Sequence, residues 1–254
     1  MRRFPTPALS LLVSLAMSTA AFAQAPPTPP ASIPDLSGIW ARLVDPASRP
    51  FYLYAFAAAE PAMTPWGEAR YKEAKPSHGA RAVPLEASND PVFNGCNPPG
   101  VPRAYLHPFP FQIVNVPGRE MLILYEYDHL VRHVYTDGRG HDMRSAPTWM
   151  GDSIGRWEGD TLVVDTLGFN DRTWIDRRGL PHGEDLHVVE RFRRVDQNTL
   201  EVAITVEDPQ AYTKPWSVQL RYTLRPPEWR ILELACEDDA SFLQLERLTA
   251  QPAK

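Results

Sequence analysis

Cysteine is scarce in this chain: its 254 residues hold two, Cys96 and Cys236. So few, so far apart, exclude a disulfide-dense mini-scaffold, a CxxC redox pair and a four-cysteine zinc site. The imbalance of charge is slight too. Lys and Arg number 26 against 31 Asp and Glu, for a net charge of −5, and the arginines are scattered, which argues against a nucleic-acid partner. Beyond residue 23 no apolar run approaches the roughly 20 residues a membrane helix needs, so stable membrane insertion is not expected. The chain also lacks a nucleophile elbow, a phosphate-binding glycine loop and an H-E-x-x-H zinc motif. Its one glycine-rich string, Gly138-Arg139-Gly140, reads as a turn. These absences weigh against common hydrolases, nucleotide enzymes and thioredoxin-like proteins. No motif asks for a cofactor or a metal, and no fixed repeat suggests a propeller.

What is present begins with a basic start, Arg2 and Arg3, an apolar run over residues 9–21, and Ala21-Phe22-Ala23 before Gln24. That pattern is a secretory signal peptide over residues 1–23, which places the mature protein in the periplasm or the medium. No cysteine follows the cleavage site to carry a lipid anchor. Residues 24–34 read as a proline-rich linker, and residues 35–248 as one β-barrel domain with an insertion at 46–110. In an oxidising compartment the two cysteines are expected to pair. The bridge would tie the insertion to the last strand, closing a loop worth about 4–5 kcal/mol on the chain-entropy account.

The scaffold shows in period-two alternation. Leu200, Val202, Ile204 and Val206 alternate with more polar neighbours, and so do Trp216, Val218, Leu220, Tyr222 and Leu224. Each such run is a half-buried strand. Similar runs, separated by short Gly, Asn and Asp turns, extend from residue 111 to 235 and, with the segment at Trp40, predict about ten strands. A meander of that length closes to remove its edges, so an all-β, antiparallel up-and-down barrel is expected. Within the insertion, Thr64-Pro65 reads as an N-cap followed by proline at the first helical position, with one short helix over 66–75 ended by Pro76. Residues 84–110 read as irregular, the kind of insertion that forms a lid, a binding loop or a cover for an open barrel end.

One strand breaks its own pattern. Glu190 shares a parity with Leu186, Val188 and Phe192, so if they face the core it does too, and must be paired or protonated. Glu126 and Arg132 are candidates to meet it, though both faces of the strand around Leu122 and Leu124 are apolar and its inward side is ambiguous. The convergence would be either an acid/base pair beside an arginine or a buried ion pair that sets register. In the catalytic reading Glu190 or His187 is the base and Arg132 or Arg191 steadies an oxyanion. The histidines His141, His182 and His187 with Asp185 near strand ends also invite a metal or general-base reading, but without metal-ligand spacing. Trp149, Asp152, Arg156, Arg191, Tyr212 and His141 are candidate ligand contacts, as is the aromatic and charged string Asp171-Arg172-Thr173-Trp174.

Several strings resemble a family of uncharacterised exported bacterial proteins: Asp137-Gly138-Arg139-Gly140-His141, the run from Trp149 through Gly155-Arg156-Trp157-Glu158-Gly159-Asp160 to Thr166, His187-Val188-Val189-Glu190-Arg191-Phe192, and Asp208-Pro209-Gln210-Ala211-Tyr212-Thr213-Lys214-Pro215-Trp216. The resemblance implies an exported β-rich domain and brings no activity with it. More loosely, Gly38-Ile39-Trp40 resembles the first strand of lipocalin-type (calycin) barrels. There the tryptophan plugs the barrel floor under an arginine from a late strand, for which Arg221, Arg225 and Arg230 are available. The functional expectation is a small, largely apolar or aromatic ligand in an internal cavity; the alternative is a cofactor-independent lyase, isomerase or hydrolase.

Overall fold

Nine strands close into one barrel in the computed structural model, which describes residues 33–44, 46 and 49–236. The expected signal peptide, most of the linker and the end of the expected domain lie outside those residues. In chain order the strands are β1 (Gly38–Arg42), β2 (Phe111–Val116), β3 (Glu120–Tyr125), β4 (Val131–Tyr135), β5 (Asp152–Glu158), β6 (Thr161–Leu167), β7 (His187–Arg194), β8 (Thr199–Glu207) and β9 (Trp216–Leu224). Each strand pairs with its neighbours in sequence, and β9 returns to β1 through Trp40↔Leu224, Ala41↔Thr223 and Arg42↔Tyr222.

Alternation does what it should in β7 and β8. Val188, Glu190 and Phe192, and Leu200, Val202, Ile204 and Val206, are all fully buried, while their neighbours face out. Gly38 holds a positive φ of 136°, and a Cβ there would lie 2.5 Å from Leu224 Cδ1, so the β1–β9 closure needs glycine at this point. Trp40 is fully buried and its indole Nε1 donates to Leu36 O at 2.9 Å.

Three expectations need correction. The barrel is mixed, because β4 and β5 run parallel through Val134↔Ser153 and Tyr135↔Ile154. The long connection over residues 136–151 carries the chain back across the barrel before β5 starts, which a tight turn cannot do. The tenth strand, at 230–235, does not join the barrel. Pro226 and Pro227 precede it, and among the described residues its one β-bridge is the parallel pair Tyr127↔Leu234, beside which Leu232 N donates to Glu126 Oε2. The arginine over Trp40 is none of the three proposed: it is Arg194 of β7, 5.4 Å from the ring centroid.

The insertion folds onto the barrel as a cap. Its first helix, α1 (Pro65–Glu73), starts where Thr64 Oγ1 accepts from Gly67 N at 3.1 Å. A second, α2 (Pro91–Gly95), is capped by Asp90 and was not foreseen. A 3-10 turn over Arg103–Leu106 is wholly buried, and it drives Tyr105 between Phe111, Tyr125 and Tyr222 at one end of the barrel. Cys96 and Cys236 form a disulfide across 140 residues, joining the cap to the segment after β9. Among the described residues no helix is long and apolar enough to cross a membrane.

Replacing both cysteines by serine should lower the unfolding free energy by up to about 4–5 kcal/mol, measured as a shift in urea midpoint at constant slope. An unchanged midpoint would show that the cap is held without the bridge.

Candidate functional site

Glu190 of β7 points into the barrel and meets Arg132 of β4. Nη1 of Arg132 donates to Oε1 of Glu190 at 2.8 Å and Nη2 donates to Oε2, a bidentate pair in which neither side chain reaches solvent. The three remaining guanidinium hydrogens go to Ser153 Oγ at 3.1 Å, Thr166 Oγ1 at 2.8 Å and the Tyr105 hydroxyl at 3.2 Å. Tyr105 closes the group: its phenol donates to Glu190 Oε1 at 2.6 Å. Burial, then the Glu190 charge, hold that phenol well above the usual tyrosine range. Burial works against the Arg132 charge, but the Glu190 carboxylate outweighs it and raises the guanidinium further.

Glu126 does not join this pair. It sits just past β3, where Oε2 accepts from Leu232 N at 3.1 Å, and burial raises its carboxyl. The convergence predicted for three residues therefore holds for two. Trp40, Phe111, Tyr105, Tyr125, Phe192 and Tyr222 belong to one buried cluster, so side chains occupy the interior of the barrel.

The remaining predicted residues separate into distinct places. His141 and His187 meet at Asp165 on the outer face of β6. Nε2 of His141 lies 3.0 Å from Oδ1, and Nε2 of His187 lies 3.2 Å from both oxygens. Asp152 holds Nδ1 of His141 at 2.8 Å, and Glu207 lies 3.6 Å from Nδ1 of His187. The result is a row in which imidazoles alternate with carboxylates across β5 to β8. Among the described residues no group of three His, Cys, Asp or Glu is placed to hold a metal ion. Arg156 and Arg191 share Glu158 on the exposed outer face, at 3.0 and 2.9 Å. Tyr212 is buried, donating to Pro181 O at 2.7 Å. Trp149 is half-buried under Arg172, 6.0 Å away. The string over residues 171–174, by contrast, lines one cleft together with Trp66, Arg70 and His182.

The barrel wall has a seam that sequence reasoning missed. β1 stops at Arg42 while β9 begins at Trp216, so residues 216–220 of β9 have no strand on their β1 side. Arg221 O accepts from Leu43 N at 2.7 Å, and by alternation the odd-numbered residues of β9 turn their backbone groups the same way. Ser217 and Gln219 therefore present N–H and C=O to the seam with no backbone partner among the described residues. A cleft of about 600 Å³ opens there, walled by Phe51, Phe56, Val218 and Leu220, with Arg42, Gln219, Glu201 and Arg221 at its polar side. The aromatic string from Phe51 to Phe56, inside an otherwise proline-broken insertion, is the signal that would have found it.

Comparison with family models, with curated proteins and with solved structures finds no match to this chain.

Two outcomes follow. Glu190→Ala should cost about 3–5 kcal/mol in urea unfolding, since it strands a buried guanidinium, whereas joint replacement of Glu190 and Arg132 by Leu and Met should cost markedly less. A second concerns His107, stacked on Tyr127 at 4.0 Å, whose ring nitrogens have no hydrogen-bond partner among the described residues. Burial, then Arg177, Arg103 and His78, push it well below the usual histidine range. It stays neutral in the folded state while the unfolded chain takes up a proton as pH falls through about 6.5, so its contribution to stability is lost on acidification. The stability slope between pH 6 and 5 should be shallower in His107→Phe than in the wild type by about 1 kcal/mol per pH unit, approaching the limit of about 1.4.

Proposed function

We propose that the protein is an exported barrel that binds a small, largely apolar or aromatic molecule, and that the ligand lies in the seam between β9 and β1. The unpaired edge of β9 over an aromatic-walled cleft is the observation that carries this reading. About 600 Å³ falls within the range of roughly 300–1,000 Å³ typical of small-molecule sites. Phe51 and Phe56 offer rings against Val218 and Leu220, which suits a flat apolar body. The backbone groups of Ser217 and Gln219 suit a polar rim that needs both donors and acceptors. Arg42 and Arg221 add positive charge beside them, although Arg221 already pairs with Glu201 at 3.1 Å.

The filled interior favours this seam over a central hollow as the place for the ligand. The disulfide supports export, since such bridges persist in oxidising compartments, and the N-terminal signal pattern leads to the periplasm or the medium.

Protein purified from its native host should carry an organic molecule detectable by native mass spectrometry. Titration with the dye 1-anilinonaphthalene-8-sulfonate should show saturable binding, weakened at least about tenfold by Val218→Trp, which fills the cleft, at an unchanged melting temperature. No bound molecule, together with dye binding indifferent to that substitution, would remove the seam as the ligand site.

A further inference from the structure

We propose that Thr173 and His182 form a second, catalytic site: a hydroxyl–imidazole pair that transfers the acyl group of a small ester to water. The pair lies in the connection between β6 and β7. That connection folds back on itself where Ile175 N donates to Leu180 O at 2.8 Å, which brings positions 173 and 182 together across the turn. Oγ1 of Thr173 is 3.1 Å from Nε2 of His182, and both side chains are buried.

Geometry assigns the protons. Nδ1 of His182 lies 3.2 Å from Gly183 O, and a carbonyl oxygen only accepts, so Nδ1 carries the hydrogen. Burial holds the ring below the usual histidine range, against the opposing effects of the Gly183 carbonyl, Asp208 and Asp171. At neutral pH the imidazole therefore has one proton and Nε2 is bare. The hydrogen between the two residues then belongs to the threonine, which donates to Nε2. A hydroxyl donating to an imidazole whose far nitrogen is held by a third group is the arrangement that activates an oxygen nucleophile.

The surroundings are rigid and the pair is open to a ligand. Gly183 N donates to Asp208 Oδ2 at 2.7 Å and Tyr212 Oη to Pro181 O at 2.7 Å, bracing the residues on both sides of His182. Asp176 Oδ1 accepts from Arg178 N at 2.9 Å and Leu180 N at 3.3 Å, fixing the turn. Thr173 and His182 both line a cleft of about 250 Å³, with Trp66 and Trp174 as apolar walls and Arg70, Arg172, Glu73 and Asp171 as its charged ones. It shares no lining residue with the seam cleft, so the two sites stand or fall separately.

The reaction balances without a cofactor. Thr173 Oγ attacks the ester carbonyl carbon as its proton passes to His182 Nε2, and the carbonyl oxygen takes the negative charge. The bond to the alcohol oxygen breaks, and that oxygen leaves with the proton from Nε2. Water then attacks the acyl-threonine and gives a proton to Nε2. The threonine oxygen departs and recovers that proton, leaving acid and alcohol.

p-Nitrophenyl acetate is the probe. The exported protein should release nitrophenol with an initial burst and carry an acetyl group on the Thr173 peptide, located by mass spectrometry. Thr173→Val and His182→Gln should each lose the adduct and lower turnover about 100-fold or more, whereas Thr173→Ser keeps both. The rate should fall as acidification protonates His182. Wild-type protein that acquires no acetyl group on Thr173 overturns the proposal whatever the stability of the variants, as does a folded Thr173→Val protein with undiminished turnover.

Discussion

The pairing of Arg132 with Glu190 is the constraint around which the barrel closes. The two side chains come from β4 and β7, and the guanidinium also takes Ser153 from β5 and Thr166 from β6. Four adjacent strands thus meet in one hydrogen-bonded group, and Tyr105 brings the cap into it. Such a group adds little net stability over a well-packed apolar core, because removing two charges from water costs nearly what their attraction returns. Its effect is on uniqueness. A one-residue slip of β7 would turn Glu190 to solvent and Arg191 to the interior, leaving Arg132 buried beside a second cation. The correct register is the one in which every polar atom of the pair is satisfied.

From that closure the positions of the clefts follow. Because Tyr105 must reach Glu190, the Arg103–Leu106 turn is drawn into the barrel. β1 has 5 residues and β9 has 9, so the strand that closes the barrel cannot cover the one it closes against. The cap spans the difference with Phe51 and Phe56 rather than with another strand, and a cleft remains between ring and edge. The interior, meanwhile, is taken up by the ion pair and its aromatic neighbours. Open space is left to the seam and the loops, where binding and chemistry commonly sit on rigid scaffolds.

How far this was legible from the residues depends on the range of the interaction. The strands β7 to β9 could be read directly, since a side-chain period of two is local and Leu200 through Val206 repeat it without a break. The inward turn of Glu190 followed from the same parity. Arg132 was harder, as Leu122 and Leu124 on the neighbouring strand give it an apolar face either way. The parallel pairing of β4 with β5 had no local signal: it depends on the path of the chain over residues 136–151, not on the composition of either strand. Arg194 over Trp40 was missed for the related reason that partners across a barrel are set by shear, not by proximity in sequence. Tyr105 lies in a proline-rich string without any period, so nothing local marked it as buried.

The Thr173 and His182 pair shows the same limit from the functional side. Both residues stood in strings noticed for their chemistry, yet their meeting needs the Ile175–Leu180 backbone bond, the Asp176 turn and the Asp208 anchor at once. Each of these satisfies backbone groups that would otherwise be buried without partners, a demand that holds whatever the loop is for. What bracing alone does not require is the bare Nε2 aimed at a hydroxyl on the wall of a cleft. A loop needing only stability would be served as well by an apolar side chain of similar size at position 182, which would bury no imidazole and leave no nitrogen to satisfy. The cost of burying that ring is met here by one carbonyl and one threonine, and the geometry they impose is that of a base poised on an alcohol.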